Sequence, residues 1–451
     1  MLTALSQLFS HHRAPDQIVC HDGNQYIHWA RFSGQVAWLA ASYALHPQQR
    51  WLLSSEDALD FIVRLFALLH AGKEVVIPPN FQPGTKQQLI DAYDADAASI
   101  TLPSIQYAAT LQPALNAESC LIHLYTSGST GLPKQVSKTL GQLEREIAVL
   151  EHLWGAQLGN ATIIASVPHH HIYGLLFRLL WPLSAGRAFD VATSPMPDIL
   201  LQQNIRFGHT VLVSSPAQLA RLPDLMPLAT LQPQLAMIFS SGGPLPPAIA
   251  AQFRQDIGVA PTEIFGSTES GGIAWRTQTE DCAWTPFPGI VIAADPDQAL
   301  LLHSPILGND QPYRMEDAVQ CLPDQRFELR GRLDRIVKIE EKRLSLLELE
   351  QQLINHPWVT NAAAAVLQRQ RQAVGVAIIL NMEGARALEE QGKQVISRTL
   401  RHSLAQHFDA VLLPRYWRFP EALPLNERGK LTQAALVALF QAKEVTHAAT
   451  P

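Results

Sequence analysis

Apolar residues recur at helical and strand spacings in alternation along much of the chain. Residues 56–71 carry them at helical spacing, and the β-branched run Val75–Ile77 follows directly. The short apolar runs 210–215 and 235–243 are typical of buried strands, and each leads into a proline- or glycine-rich turn. Strands that alternate with helices predict an α/β fold with a parallel-rich sheet, whose ligand loops follow the strands.

The pattern changes near residue 334, where short strands begin to separate strong helices. Ser345 and Glu348 form a capping-box pattern at the start of a helix predicted over 345–357. A chain of 451 residues also exceeds the size of one hydrophobic core. We therefore predict a large α/β domain of layered, parallel-rich sheets over 1–333 and a small α+β domain over 334–451.

Composition and charge exclude several classes of protein. The chain has 34 Lys+Arg against 40 Asp+Glu, which argues against a nucleic-acid partner. Its four cysteines are scattered, and no uncharged apolar run reaches the roughly 18–20 residues that span a bilayer. The first residues do not resemble a signal peptide. These features predict a cytoplasmic protein without a membrane partner.

A loop rich in glycine and hydroxyl groups, LYTSGSTGLPK over 124–134, follows an apolar strand. Small residues let backbone N–H groups approach an anion, and a lysine adds positive charge. The spacing differs from the Walker pattern. The motif predicts a phosphate-binding loop, with an ordinary flexible turn as the alternative. Its candidate ligand-binding residues are Thr126, Ser127, Gly128, Ser129, Thr130 and Lys134.

A second motif, FGSTESGG over 265–272, combines glycine and hydroxyl groups with the carboxylate of Glu269. A carboxylate beside bound phosphate would repel it unless a cation lay between them. Mg²⁺ accepts one or two carboxylates together with phosphate oxygens. Glu269 is thus a candidate magnesium ligand, with a solvated surface glutamate as the alternative.

Together these motifs resemble those of the AMP-forming adenylating enzymes, a family that includes acyl- and aryl-CoA synthetases, firefly luciferase and peptide-synthetase adenylation domains. The resemblance covers most of the chain, and the motifs occur in the family's order. They are TSGSTGLPK at 126–134, SSGGP at 240–244, FGSTE at 265–269, YRMED at 313–317, GRLDRIVK at 331–338 and PLNERGK at 424–430.

The resemblance implies a role for each matching residue. Thr268 would contact phosphate, Glu269 would hold Mg²⁺, and Lys430 would assist adenylation. Asp334 would be the hinge of a mobile C-terminal lid domain. The residues implied in binding the adenine, ribose and adjoining parts of the nucleotide are Gly242, Gly243, Phe265, Gly266, Asp317 and Arg332.

The implied second step is transfer of the acyl group to a pantetheine thiol, for which Lys338 and Glu341 would border the tunnel. Glu341 replaces a glycine of the family pattern, and Lys342 and Arg343 follow it. A basic pair at this place suits an acidic acyl carrier protein as well as, or instead of, CoA. Gln135 and Met315–Glu316 are further departures from the pattern.

Three consecutive histidines, His169–His171, raise the possibility of a metal site, but neighbouring side chains point in different directions and no H-E-x-x-H is present. Aligned on HIYG, His171 resembles the family residue between the acyl pocket and the thiol tunnel. A polar loop histidine is the alternative. No G-x-S-x-G nucleophile elbow occurs, which disfavours a hydrolase.

The sequence thus predicts ATP- and Mg²⁺-dependent activation of a small carboxylic acid and its transfer to CoA or to the phosphopantetheine of an acyl carrier protein. The candidate pocket segments 171–178, 213–217, 241–245 and 263–267 are largely apolar or small, with Tyr173 and Phe177. They favour an aryl acid such as a hydroxybenzoate or cinnamate, with a fatty acid second. A non-catalytic nucleotide sensor or scaffold and a P-loop NTPase remain as other classes.

Overall fold

The computed structural model describes residues 2–102, 112–127, 133–194, 196–278, 282–308, 311–339, 342–368, 372–425 and 431–441. The chain divides into two compact units. The first comprises Met1–Ile292, Leu302–Tyr313 and Leu322–Phe327, and the second Ala293–Leu301, Arg314–Cys321 and Glu328–Pro451.

Strands β1 to β14 form the sheets of the first unit. Their bounds are β1 Ile18–Asp22, β2 Gln25–His28, β3 Arg50–Leu52, β4 Glu74–Ile77, β5 Ala95–Asp96, β6 Leu121–Ser127, β7 Pro133–Thr139, β8 Thr162–Ala165, β9 Phe189–Thr193, β10 Thr210–Ser214, β11 Leu235–Ser241, β12 Thr262–Ser267, β13 Gly271–Thr277 and β14 Thr285–Pro286.

Helices flank these strands, and a π-helical stretch over Leu175–Leu180 continues into the sixth of them. The helices are α1 Trp29–Ala44, α2 Ala58–His70, α3 Pro83–Gln88, α4 Leu140–Leu158, α5 Ile172–Gly174, α6 Trp181–Ala185, α7 Pro197–Phe207, α8 Pro216–Leu225 and α9 Pro247–Ile257.

Two parallel-rich sheets dominate the described part of this unit. The larger has the strand order β14, β13, β12, β11, β10, β8, β9, β1, β2, and its six neighbours from β12 to β1 run parallel. The smaller has the order β5, β3, β4, β6, β7, with β7 antiparallel to β6. The predicted α/β class with layered parallel-rich sheets is confirmed.

The helix predicted over 56–71 is α2. It begins after Asp57, whose side chain accepts a hydrogen bond from the Asp60 N–H at 2.7 Å. It ends at His70, and Gly72 follows with φ of +70°. Most of its side chains are buried. Burial on so many faces accounts for the nearly continuous apolar run that marks this helix in the sequence.

Phe177 lies in an aromatic cluster of the larger core. Its ring centroid is 5.6 Å from that of Trp181 and 5.1 Å from that of Phe239, and the residue is 2% exposed. Such ring pairs pack edge to face and stabilise a core. Phe177, named above with the acyl pocket segments, therefore serves the core.

The second unit contains most of a four-stranded sheet, order β15, β16, β17, β18, a β19–β20 hairpin and a three-stranded sheet, order β21, β22, β23. The remaining elements are β15 Val291–Ala294, β16 Ala299–His303, β17 Tyr313–Cys321, β18 Phe327–Arg332, β19 Ile336–Ile339, β20 Lys342–Ser345, α10 Leu346–Ile354, β21 Val359–Gln368, β22 Gln372–Leu380, α11 Met382–Leu404, β23 Tyr416–Arg418 and α12 Gln433–Gln441.

Helices α10 and α11 pack their apolar faces into one core with the β21–β22 pair. The Ser345 side chain accepts the Glu348 N–H at 3.2 Å, which is one half of the predicted capping box. Gly392 is non-helical (φ 78°), so α11 consists of two helical parts that meet at this kink. The domain boundary at 333/334 and the mobility of a lid remain predictions.

No helix within the described ranges is long and apolar enough to cross a membrane. The cytoplasmic location remains a prediction.

The lowered pKa values of buried histidines predict that the free energy of unfolding falls in mild acid. Burial lowers the pKa of His169 to about 3 and the pKa values of His70 and His21 to about 4. The folded state resists a proton that the unfolded chain accepts below about pH 6.5, so stability should fall as pH drops from there toward 4. The test is the free energy of unfolding in urea at pH 7.5 and pH 5. His169→Gln, which preserves a donor toward the Ser55 carbonyl (2.9 Å), should lose less stability between these pH values. Equal losses for His169→Gln and the wild type would contradict the assignment.

Candidate functional site

The predicted phosphate loop belongs to the β6–β7 hairpin. The two strands pair from Leu121–Thr139 to Ser127–Pro133, so residues 128–132 connect their ends. The Thr126 hydroxyl donates to the Lys134 carbonyl at 3.4 Å, and the Lys134 side chain is 61% exposed. Gly128, Ser129 and Thr130 lie outside the described residues, and only the backbone of Ser127 is described. The hairpin presents a hydroxyl and an ammonium group at the end of a buried strand.

The candidate magnesium residue, Glu269, lies in the turn between β12 and β13, which we call the glutamate turn. The Ser270 hydroxyl accepts the Ser267 N–H at 2.9 Å, and the Ser267 hydroxyl accepts the Ser270 N–H at 3.1 Å. A Cβ on Gly266 would lie 2.0 Å from the Gly271 carbonyl oxygen, so only glycine fits there. The partly exposed Thr268 occupies the same turn. Reciprocal hydrogen bonds and close backbone contact fix this turn.

The structure brings these two predicted elements together. Lys134 Nζ lies 2.6 Å from Glu269 Oε1. Burial opposes ionisation of Glu269, but the hydrogen bond and charge of Lys134 outweigh it, and the pKa of Glu269 lies below its usual value. The same bond raises the pKa of Lys134. At neutral pH the turn therefore presents an anionic carboxylate beside the phosphate hairpin.

The donor set around Glu269 fits Mg²⁺ held jointly with a phosphate ligand. An ionised carboxylate in a hydroxyl-rich turn is the hard oxygen donor that Mg²⁺ prefers, and the remaining ligands are commonly phosphate oxygens and water. Within the described ranges, no group of three or more His, Cys, Asp or Glu side chains could hold a metal by itself. That finding also removes support for a metal site at His169–His171.

The SSGGP motif at 240–244, which resembles the family's adenine-side loop, begins in the last residues of β11. Gly242, with φ of +93°, and Gly243 are both exposed. The loop is anchored where it re-enters the core: Glu263 accepts the Leu245 N–H at 2.9 Å, and Gln278 donates to the Leu245 carbonyl at 2.7 Å. This loop is therefore fixed at its C-terminal end to β12 and to the residue that follows β13.

Glu263 is 1% exposed and forms an ion pair with Arg276 at 2.8 Å. Phe265, two residues further along β12, packs against Trp284 with ring centroids 5.4 Å apart. Alternate positions of β12 thus anchor the adenine-side loop and support the start of the glutamate turn. Sequence reasoning missed Glu263, whose signal is a carboxylate directly before the apolar pair Ile264–Phe265.

The second unit places the two candidate ribose residues side by side. Asp317 lies on β17 and Arg332 ends β18, with Arg332 Nη1 4.0 Å from Asp317 Oδ2. Asp334 lies in the short turn Leu333–Arg335, and Lys338 lies on β19; the side chains of both fall outside the description. Glu341 and Lys430 also lie outside the described residues. The roles of these residues remain predictions.

The three histidines occupy different environments. His169 is buried and bonded to the Ser55 carbonyl, whereas His171 is partly exposed at the start of α5. The rings of His170 and His171 have centroids 4.3 Å apart. His171 can therefore be reached by a ligand, while His169 serves the core.

Two buried charged residues beneath the glutamate turn were missed by sequence reasoning. Lys138, 3% exposed, donates to the Glu269 carbonyl at 2.5 Å, and Glu146, 2% exposed, accepts the Gly272 N–H at 2.7 Å. Burial raises the pKa of Glu146 to about 7, against the lowering effects of the Gly272 N–H and Lys138. A usable signal exists, because Glu146 falls on the apolar stripe of α4 with Leu143 and Leu150.

A family model described as AMP-binding enzyme matches residues 93–296, which contain the β6–β7 hairpin, the adenine-side loop and the glutamate turn. This segment of the chain is thus similar to the AMP-binding enzyme family. The chain is 28% identical over 310 residues to a 4-coumarate–CoA ligase of Rhodobacter capsulatus. The match covers 68% of this chain and 73% of that protein.

Solved structures of adenylating enzymes share the fold of this chain. ATP-bound MatB from Rhodopseudomonas palustris superposes with a TM-score of 0.78 at 18% identity, covering 98% of this chain and 99% of that one. A benzoate CoA ligase from Burkholderia xenovorans superposes with a TM-score of 0.76 at 19% identity, covering 97% and 100%. At these identities the likeness establishes the fold.

Proposed function

We propose that this protein uses ATP to convert a carboxylic acid into an acyl-adenylate and pyrophosphate, and then transfers the acyl group to a thiol. The observation that carries the proposal is the 2.6 Å ion pair between Lys134 and Glu269. It joins a phosphate-type hairpin to an ionised carboxylate suited to Mg²⁺. A simple nucleotide sensor has no need of this pairing at the reacting phosphates.

The chemistry explains why both charges belong there. A carboxylate oxygen attacks the α-phosphorus of ATP, the bond to the bridging oxygen breaks, and pyrophosphate leaves with the bonding electrons. Negative charge grows on the phosphoryl oxygens, and fixed positive charge stabilises it. Lys134 and Lys430 would supply such charge, and Glu269 would hold Mg²⁺, which neutralises and orients the phosphates. The hydrolysable acyl-adenylate then needs a closed site until the thiol arrives.

An aryl acid is the proposed substrate class. The candidate pocket segments are largely apolar or small, and Tyr173 adds an aromatic side chain within them. They carry no acidic partner for an α-amino group apart from Glu263, which is already paired with Arg276. The relative named 4-coumarate–CoA ligase supports the same class. A hydroxybenzoate or a cinnamate is the first substrate to test.

The proposed acceptor is a phosphopantetheine thiol, either of CoA or of an acyl carrier protein. The CoA ligases among the relatives favour CoA. Glu341, in place of the family's glycine, and the basic pair Lys342–Arg343 favour a carrier protein. Electrostatic complementarity with an acidic carrier surface would speed association.

The products of the complete reaction test this proposal. Purified protein is incubated with ATP, Mg²⁺ and a panel of aryl, fatty and amino acids, with CoA or a phosphopantetheinylated carrier protein as acceptor. We expect AMP, pyrophosphate and an aryl thioester, identified by mass spectrometry, in amounts that depend on the acid. Release of ADP and phosphate would replace the proposal with an NTPase. Nucleotide binding without turnover of any acid would favour a sensor.

A further inference from the structure

Three side chains of β7 and α4 form hydrogen bonds to the turn between β12 and β13. Lys134 and Lys138 lie on β7, and Glu146 lies on α4, which follows directly. Lys134 reaches the carboxylate of Glu269, Lys138 reaches its carbonyl oxygen, and Glu146 reaches the Gly272 N–H. The first contact involves the exposed reactive group. The other two lie in the core beneath it.

The turn is shaped to receive these buried groups. Gly271 has φ of +72°, and a Cβ there would lie 2.4 Å from Glu146 Oε2. A Cβ on Gly272 would lie 2.9 Å from Glu146 Oε1. The carboxylate of Glu146 therefore fills the space that two side chains would otherwise occupy. This contact explains why glycines stand at positions 271 and 272.

Burying an ammonium and a carboxylate is costly, and a hydrophobic pair would often pack with equal stability. Lys138 and Glu146 interact electrostatically, which offsets part of the cost. Their hydrogen bonds fix the Glu269 carbonyl oxygen and the Gly272 N–H, two backbone groups that follow the Glu269 side chain in the turn. Partners that hold a metal-ligating carboxylate commonly change metal affinity by 10–100-fold when mutated.

We infer that Lys138 and Glu146 are positioning residues that hold the Glu269 carboxylate in place for Mg²⁺, and so link the glutamate turn to the β6–β7 hairpin. The inference rests on the proposed function for its assignment of Mg²⁺, bound together with ATP, to Glu269. Lys138 and Glu146 act through the backbone of the turn and do not contact the substrate.

The experiment compares Glu146→Ala, Glu146→Gln and Lys138→Met with the wild type. The readouts are the Mg²⁺ concentration that gives half-maximal ATP–pyrophosphate exchange and the ATP affinity with and without Mg²⁺, measured by titration calorimetry. We expect Glu146→Ala and Lys138→Met to raise the half-maximal Mg²⁺ concentration by about tenfold. Affinity for ATP without Mg²⁺ should stay within about twofold. Glu146→Gln should keep a half-maximal Mg²⁺ concentration close to that of the wild type, because its amide oxygen still accepts the Gly272 N–H.

Glu151→Gln is the matched control. Glu151 lies on the same helix and forms a 2.6 Å ion pair with Arg187, remote from the glutamate turn in sequence and contacts. It should lower stability without changing the Mg²⁺ requirement. Equal changes in Mg²⁺ requirement for Glu151→Gln and Glu146→Ala would reduce the pair to a structural role and overturn the inference. If Glu146→Ala does not fold, Lys138→Met and Glu146→Gln carry the test.

Failure of the proposed function gives a different result. A wild type without exchange activity, but with Mg²⁺-dependent ATP binding that Glu146→Ala weakens, would reject the reaction and retain the positioning role. A wild type whose ATP affinity is the same with and without Mg²⁺ would overturn the inference directly.

Discussion

Replacing Glu269 by glutamine is expected to slow acyl-adenylate formation by about 10²–10³-fold at a fixed, subsaturating Mg²⁺ concentration. The amide keeps the shape of the side chain but loses the charge that Mg²⁺ requires. It also removes the 2.6 Å ion pair that orients Lys134. The measurement is ATP–pyrophosphate exchange over a range of Mg²⁺ concentrations, where the half-maximal concentration should rise steeply.

A surface ion pair provides the control for this variant. Glu118 lies 2.7 Å from Arg145, and its side chain is 61% exposed. Glu118→Gln should leave both the rate and the Mg²⁺ dependence unchanged, because exposed pairs contribute little. An unaltered Mg²⁺ dependence in Glu269→Gln would remove Glu269 from the metal site.

Replacing Lys430 by alanine is expected to reduce adenylation by about 10²–10³-fold and to spare acyl transfer from a supplied acyl-adenylate. The resemblance to adenylating enzymes assigns this lysine to the first step, where an ammonium group stabilises the charge that grows at the α-phosphate. The measurement separates the half-reactions, with pyrophosphate exchange for the first and thioester formation from synthetic acyl-adenylate for the second.

Lys393→Ala controls for loss of a lysine from the same C-terminal region. Lys393 is exposed on α11, in a segment without a matching motif. Both half-reactions should remain intact in that variant. A loss of equal size in the two half-reactions of Lys430→Ala would contradict the role assigned to Lys430.

Local patterns in the sequence account for much of the fold. Helix α2 was predictable because Asp57, the apolar run and Gly72 mark its start, body and end within a short span. Strands β10 and β11 were predictable because parallel strands buried on both faces appear as short continuous apolar runs. In each case neighbouring residues carry the signal.

Contacts between distant segments account for what the sequence did not predict. Lys138 and Glu146 precede Glu269 by more than a hundred residues, and only tertiary packing brings them to its turn. Phe177 was grouped with the acyl pocket because the apolar spacing of its segment does not reveal which face meets the core. Its contacts with Trp181 and Phe239 place it in that core.

The candidate site shows the same difference between local motifs and contacts of distant segments. Thr126, Lys134, Gly266 and Glu269 lie within short motifs, so their spacing alone predicted that they share two loops. The Lys134–Glu269 ion pair required the folded arrangement of β7 and β12, which lie in different sheets. The motifs therefore predicted the chemistry of each loop, and only the fold brings the two loops into contact.

The most direct test of the central claim is carboxylate-dependent exchange of labelled pyrophosphate into ATP, measured with purified protein and Mg²⁺ on a panel of aryl, fatty and amino acids. We predict exchange with an aryl acid and none without added acid. Exchange is diagnostic because it requires reversible formation of an acyl-adenylate. Absence of exchange with every acid, in a protein that binds ATP, would contradict the proposed adenylation.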